Sequence, residues 1–147
     1  MPAPQSLALR ELAGTVEGRS FAARNETKGT WLCMRGRLAS GFWGKALGLM
    51  FRREWREMDA LLLTGCSSIH TCCMRMPIDV CFLDDDLRVV KVVSRIGPWR
   101  LALTGGAGCH TLELPAGTLA RTGTDAGDHI MTGVSPGRAG PGPACRG

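Results

Sequence analysis

The chain has 147 residues, one domain's length, with 44% hydrophobic residues and a formal charge of +5. A domain of this size hides roughly two thirds of its unfolded surface, so it needs neither disulfides nor metal in order to fold. No apolar run approaches the ~18 residues of a membrane span, and collagen or coiled-coil periodicity is absent.

The charge is unevenly placed. Arg24 to Arg56 holds eight basic residues against Glu26 and Glu54, whereas Ala60 to Thr132 is close to neutral. A basic flank attracts phosphate, anionic lipid and acidic protein through the same unspecific field. No aromatic platform for single strands, zinc-finger spacing or reading helix accompanies it, so nucleic acid is disfavoured as a partner and a solvated basic face is expected. Met1 to Ser20 carries Arg10, Glu11, Glu17 and Arg19 and lacks the apolar stretch of a secretory signal, so a cytoplasmic location is expected. Seven cysteines, an odd number without an export signal, fit reduced thiols and no structural disulfide.

Along the chain, residues 1–20 read as a poorly ordered N-terminal segment, because Gly14 and Gly18 interrupt the short helical pattern of Ser6 to Leu12. The globular body is expected over 21–132. Its first extended segment is Thr30 to Ala39, where Trp31 and Cys33 alternate against Leu32 and Met34. Ser40 stands at an N-cap position, and Trp43, Leu47 and Met50 recur at helical spacing, predicting an amphipathic helix over Gly41 to Phe51. Its three glycines each cost about 1 kcal/mol against alanine, so packing must hold it.

Beyond it the period falls to two. Ala60 to Thr64, Ile69 to Met74 and Ile78 to Leu83 read as strands between glycine, serine and proline punctuation. Asp84-Asp85-Asp86 predicts a hairpin tip leading into Arg88 to Val93. A second hairpin is predicted from Arg100 to Leu103 and Cys109 to Leu114 across a glycine-rich turn, and Pro115 suits the first position of a short helix ending near Thr122 and Gly123. Asp125 to Asp128 turns into a last strand, His129 to Thr132, and 133–147 reads as a disordered Gly/Pro-rich tail. Short strands, hairpin spacing and two short helices predict an α+β, mainly β domain: a curled antiparallel sheet or small barrel.

The run Ser68-Ile69-His70-Thr71-Cys72-Cys73-Met74-Arg75-Met76-Pro77-Ile78-Asp79-Val80-Cys81-Phe82-Leu83, the later Leu112-Glu113-Leu114-Pro115-Ala116-Gly117 and the earlier Gly48-Leu49-Met50 resemble the prokaryotic family known as domain of unknown function 192. The resemblance spans about Arg24 to Met131. It implies a compact, mostly β domain, exported or envelope-associated in some members and without a signal in others, and it brings no activity with it. The sequence departs from the family pattern at Cys72 and Cys73, where bulky aromatics are usual, and at Cys81, which replaces an aliphatic residue. Cysteine packs as a small hydrophobe when buried, so core filling is the plainer reading of all three.

Four residues interrupt apolar strand segments or flank them with chemistry: His70, Arg75, Asp79 and Glu113. Meeting across a sheet, or taking Arg75 or His70 as partners, the two carboxylates would have shifted pKa values and mark a cleft. The structural alternative has Asp79 bonding backbone amides near the proline turn and Glu113 pairing with an arginine. His70 and Cys72 supply ligand types that zinc accepts, but on a strand only those two share a face, so no metal or other cofactor is expected. Cys109 adjoins His110, an arrangement that directs a nucleophile and its base apart. The aspartate triplet lacks the alternating ligands of a calcium loop, and Gly105 to Gly108 precedes no helical pattern. The function favoured by the sequence is a binding or accessory module for an unknown protein or small-molecule partner. The alternatives are a hydrolase-like or metal-assisted enzyme using His70, Arg75, Asp79 and Glu113, and a redox-sensing thiol protein using Cys66, Cys72 or Cys109.

Overall fold

A computed structural model describes residues 20–39, 49, 52–55, 58–104 and 110–134. In chain order its elements are β1 (Phe21–Asn25), β2 (Thr30–Ala39), β3 (Ala60–Thr64), β4 (Ser68–His70), β5 (Ile78–Leu83), β6 (Val89–Ile96), β7 (Leu101–Leu103), β8 (His110–Pro115), α1 (Thr118–Thr122) and β9 (Ile130–Val134). Seven strands form one strongly curled half-barrel sheet in the order β6-β5-β8-β3-β2-β1-β9, and β4 pairs with β7 in a separate two-stranded sheet. The fold is mainly β. No helix among the described residues is long and apolar enough to cross a membrane.

Among the described residues every strand pairing is antiparallel except one: β2 and β3 run parallel, with Gly36 opposite Ala60 and Ala39 opposite Leu63. The sheet is therefore mixed rather than wholly antiparallel, because the long connection between these strands permits a crossover that a tight hairpin cannot make. The curl brings the two edge strands together at one end. Arg88 bridges His129, and the amides of Val89 and Ile130 donate to the carbonyls of Asp128 and Leu87 at 2.9 Å each. Buried Asn25 pins this closure, its Nδ2 donating to Asp128 Oδ2 at 2.8 Å and to Thr124 Oγ1 at 3.0 Å. Closing the curl satisfies edge groups that would otherwise invite pairing with another chain.

Alternation gives the sheet two apolar faces. One carries Phe21, Leu32, Leu62, Cys81, Leu83, Leu112, Leu114 and Ile130, joined by Val89 and by Leu119 of α1, and fills the inside of the curl. The other carries Leu61, Leu63, Ile78, Val80 and Phe82 and is covered by Ile69 of β4, Ala102 of β7, Met58 and Met74. β5 is buried over its whole length because both its faces are covered. Gly36 lies opposite Phe21, and a Cβ there would overlap the phenyl ring.

Several sequence expectations need correction. Among the described residues there is one short helix, α1, rather than two; the segment Gly41 to Phe51 lies outside them apart from Leu49. Pro115 ends β8 instead of opening the helix, because Gly117 adopts φ 95 and turns the chain before Thr118. The second hairpin is not formed: β7 pairs with β4, and β8 lies between β5 and β3. Nor does the strand at Ile69 run on to Met74; it stops at His70, where Thr71 starts a turn. The segments assigned to residues 1–19 and to the tail from 135 lie outside the described residues, as do Cys109 and Gly105 to Gly108.

Candidate functional site

The structure disperses the four predicted site residues. In the β5–β8 ladder Asp79 is opposite Leu114 and Val80 is opposite Glu113. Cross-strand partners share a face, so Asp79 points with Leu114 into the curl and Glu113 points with Val80 to the other side. They are not a carboxylate pair. His70 is exposed at the end of β4, opposite Leu101 of β7, and Arg75 is exposed in the connection from β4 to β5.

Asp79, 1% exposed, accepts three backbone hydrogen bonds: from Arg95 to Oδ1 at 2.8 Å, and from Gly117 at 3.0 Å and Leu119 at 2.8 Å to Oδ2. The amides come from β6 and from the start of α1, not from the proline turn beside it. One carboxylate thus fastens β5 to the turn after β8 and to Arg95, whose φ of 51 places it in the left-handed region. With its oxygens committed to amides, Asp79 has little left to offer a substrate.

Glu113 is different. It lies on the face between Leu61 of β3 and Val80 of β5, is 6% exposed, and among the described residues pairs with no arginine. Burial alone pushes its carboxyl up to about 7. Trp55, packed against the same apolar cluster, buries its indole Nε1 without a hydrogen-bond partner among the described residues.

His110, which the sequence offers beside Cys109 as half of a Cys-His pair, acts in the fold as a clamp. The amide of Gly65 donates to Nδ1 at 3.0 Å, which fixes the neutral tautomer with the proton on Nε2, and Nε2 donates to Asp85 Oδ1 at 2.9 Å. The ring therefore joins the end of β3 to the β5–β6 hairpin tip, with both nitrogens occupied. No sequence signal linked Asp85 to a histidine 25 residues away. Among the described residues no group of three or more His, Cys, Asp or Glu is placed to hold a metal ion.

The feature that sequence reading missed is the corner at Thr71. This buried threonine donates through Oγ1 to the carbonyl of Gly97 at 2.7 Å and accepts the amide of Arg100 at 2.8 Å. Its carbonyl accepts the amides of Met74 at 3.2 Å and Trp99 at 3.0 Å. Two turns are held by one residue: Cys72-Cys73 on one side and Gly97 to Arg100 on the other. Trp99 adopts φ 61 and stands 68% exposed, followed on β7 by Leu101 and Leu103, 66% and 50% exposed, with buried Ala102 between them. A Gly-Pro-Trp sequence signals a turn, but nothing in it says that the indole faces outward.

A family model, DUF192, described as an uncharacterized ACR, matches residues 23–132. The chain belongs to the DUF192 family. Among curated relatives, UPF0127 protein PH1112 of Pyrococcus horikoshii is 34% identical over 97 residues, covering 64% of this DUF192 chain and 84% of the relative. UPF0127 protein PF1050 of Pyrococcus furiosus is 30% identical over 109 residues, covering 72% and 93%. Two solved structures share the fold of this DUF192 domain. A candidate transcription regulator from Sinorhizobium meliloti 1021 has a TM-score of 0.67 at 21% identity, over 78% of this chain and 92% of that one. A protein of unknown function from Novosphingobium aromaticivorans DSM 12444 has a TM-score of 0.65 at 22% identity, over 87% and 91%. At these identities the likeness concerns fold alone.

Proposed function

We propose that this chain is a binding module that presents Trp99, Leu101 and Leu103 to a protein partner with an apolar centre and an acidic rim. The single observation that carries this reading is the exposure of three large apolar side chains close together in sequence, Trp99 in the turn before β7 and Leu101 and Leu103 on it. Soluble proteins scatter such side chains singly, and a contiguous group with a polar border marks a contact surface. Ser68 and His70 lie opposite Leu103 and Leu101, and Lys91 reaches the carbonyl of Leu103 with its Nζ at 2.8 Å, so the border is polar and partly cationic. The Thr71 bonds hold the tryptophan turn before any partner arrives, which lowers the ordering cost of association. The test is affinity capture from host extract with the wild-type chain and with a Leu101→Asp/Leu103→Asp variant of equal melting temperature. A protein retained by the first and lost by the second supports the reading; equal retention by both contradicts it.

A second reading, acid-base chemistry, is favoured by one observation: Glu113 is buried on an apolar strand face between Leu61 and Val80, where burial pushes its carboxyl up towards the range a general acid or base requires at neutral pH. It expects Glu113→Gln to abolish any turnover found by substrate screening while the fold persists. Turnover that survives the substitution removes it.

A further inference from the structure

We propose that Cys72 and Cys73 form a two-thiol site for trivalent, thiophilic arsenic, a proposal that does not rest on the binding surface above. The two cysteines occupy the central positions of a β-turn closed by the Met74 amide on the Thr71 carbonyl at 3.2 Å. Cys73 is in the left-handed region at φ 62, where the third position of such a turn ordinarily takes glycine. Both are half-buried and therefore reachable from solvent. The other described thiols are differently placed. Cys33 and Cys81 are buried, and burial pushes both thiols well above the ordinary range, Cys81 to about 12. Cys66 donates its thiol to the carbonyl of Ser68 at 2.8 Å.

Geometry favours chelation over a direct disulfide. Adjacent Cα atoms across a trans peptide lie ~3.8 Å apart, closer than the ~4.4 to 6.8 Å that unstrained disulfides span. One atom inserted between the sulfurs lengthens the bridge and relieves that constraint. With an organoarsenic oxide the step balances without redox change: each thiol forms one S–As bond, the As=O oxygen takes both thiol protons, and water leaves. Arsenic stays trivalent throughout, so neither oxidant nor reductant is required.

The full-length reduced chain is incubated with phenylarsine oxide and adducts are counted by native mass spectrometry. One adduct per chain is expected, surviving excess glutathione, which as a monothiol cannot compete with a chelate, and removed by dithiothreitol. Cys72→Ser and Cys73→Ser are each expected to lose the glutathione-resistant adduct, while Cys66→Ser and a Cys109→Ser/Cys145→Ser double variant retain it. Cys73→Gly is the decisive control, because glycine suits φ 62 and should fold at least as well as the wild type. Loss of the adduct from a folded Cys73→Gly chain supports the site. No adduct on the wild type, persistence in the Cys72 and Cys73 variants, or loss in the Cys66 or Cys109/Cys145 variants would overturn it.

Discussion

The amide of Trp99 donates to the carbonyl of Thr71 at 3.0 Å, so the most exposed large apolar side chain among the described residues is tied to a fully buried threonine. The tryptophan turn is thereby coupled to the end of β4, and through the same carbonyl to the Cys72-Cys73 turn. Rigid presentation of an indole is what an interface anchor needs, because ordering it on contact costs affinity.

Thr71→Val keeps the shape of this corner and removes its hydroxyl. The carbonyl of Gly97 loses its donor and the amide of Arg100 its acceptor. The expected cost is about 1–3 kcal/mol in denaturant unfolding, accompanied by faster hydrogen exchange of the Arg100 amide. Unchanged exchange there would show that the hydroxyl does not hold the turn.

Asp79→Asn tests whether this aspartate belongs to the framework. An amide side chain offers one acceptor oxygen where two are used, and sets its NH2 against a backbone N–H. We expect a loss of about 2–4 kcal/mol, read from the urea midpoint. A midpoint equal to wild type would contradict the framework role.

Glu113 imposes a pH dependence of definite sign. Its folded value, about 7, lies above the ordinary 4.5, so the folded state keeps the proton that the unfolded state gives up. The contribution is fully present below pH 4.5 and is lost as pH rises to 7, a change on the order of 3 kcal/mol. Glu113→Gln should flatten this slope and be more stable than wild type at pH 8. The check is urea unfolding of both proteins across that interval; parallel curves would refute the burial argument.

Gly36→Ala puts a methyl group against the ring of Phe21, which is fully buried, so the ring or the β1–β2 backbone must shift to admit it. Overpacking of this kind costs about 1–3 kcal/mol. Thermal unfolding is the check, and a melting temperature at or above wild type would show that the ring moves freely.

Much of the sheet was legible from sequence because period-two alternation and turn residues are local signals. Thr30–Ala39, Ala60–Thr64 and Ile78–Leu83 are strands with the bounds that pattern gave. β1 was missed because Phe-Ala-Ala-Arg-Asn has weak strand propensity; its place comes from β2 on one side and β9 on the other. The partners of β7 and β8 were misjudged for a related reason. A hairpin is the default for neighbours in sequence, whereas β7 is needed as a cover over the second apolar face and β8 as a central strand.

The candidate site was less legible. Asp79 and Glu113 were both singled out as polar residues in apolar strands, but their register, which puts them on opposite faces, is a long-range property. Thr71 carried no signal at all, since its importance lies in bonds to residues 26 and 29 positions away.

Hydrogen-exchange footprinting of the chain with its captured protein partner tests the central claim most directly. The account expects protection concentrated over Trp99 to Leu103 and the opposing Ser68 to His70, with the amides flanking Glu113 unchanged. Protection centred on Glu113 that leaves Trp99 to Leu103 untouched would contradict it.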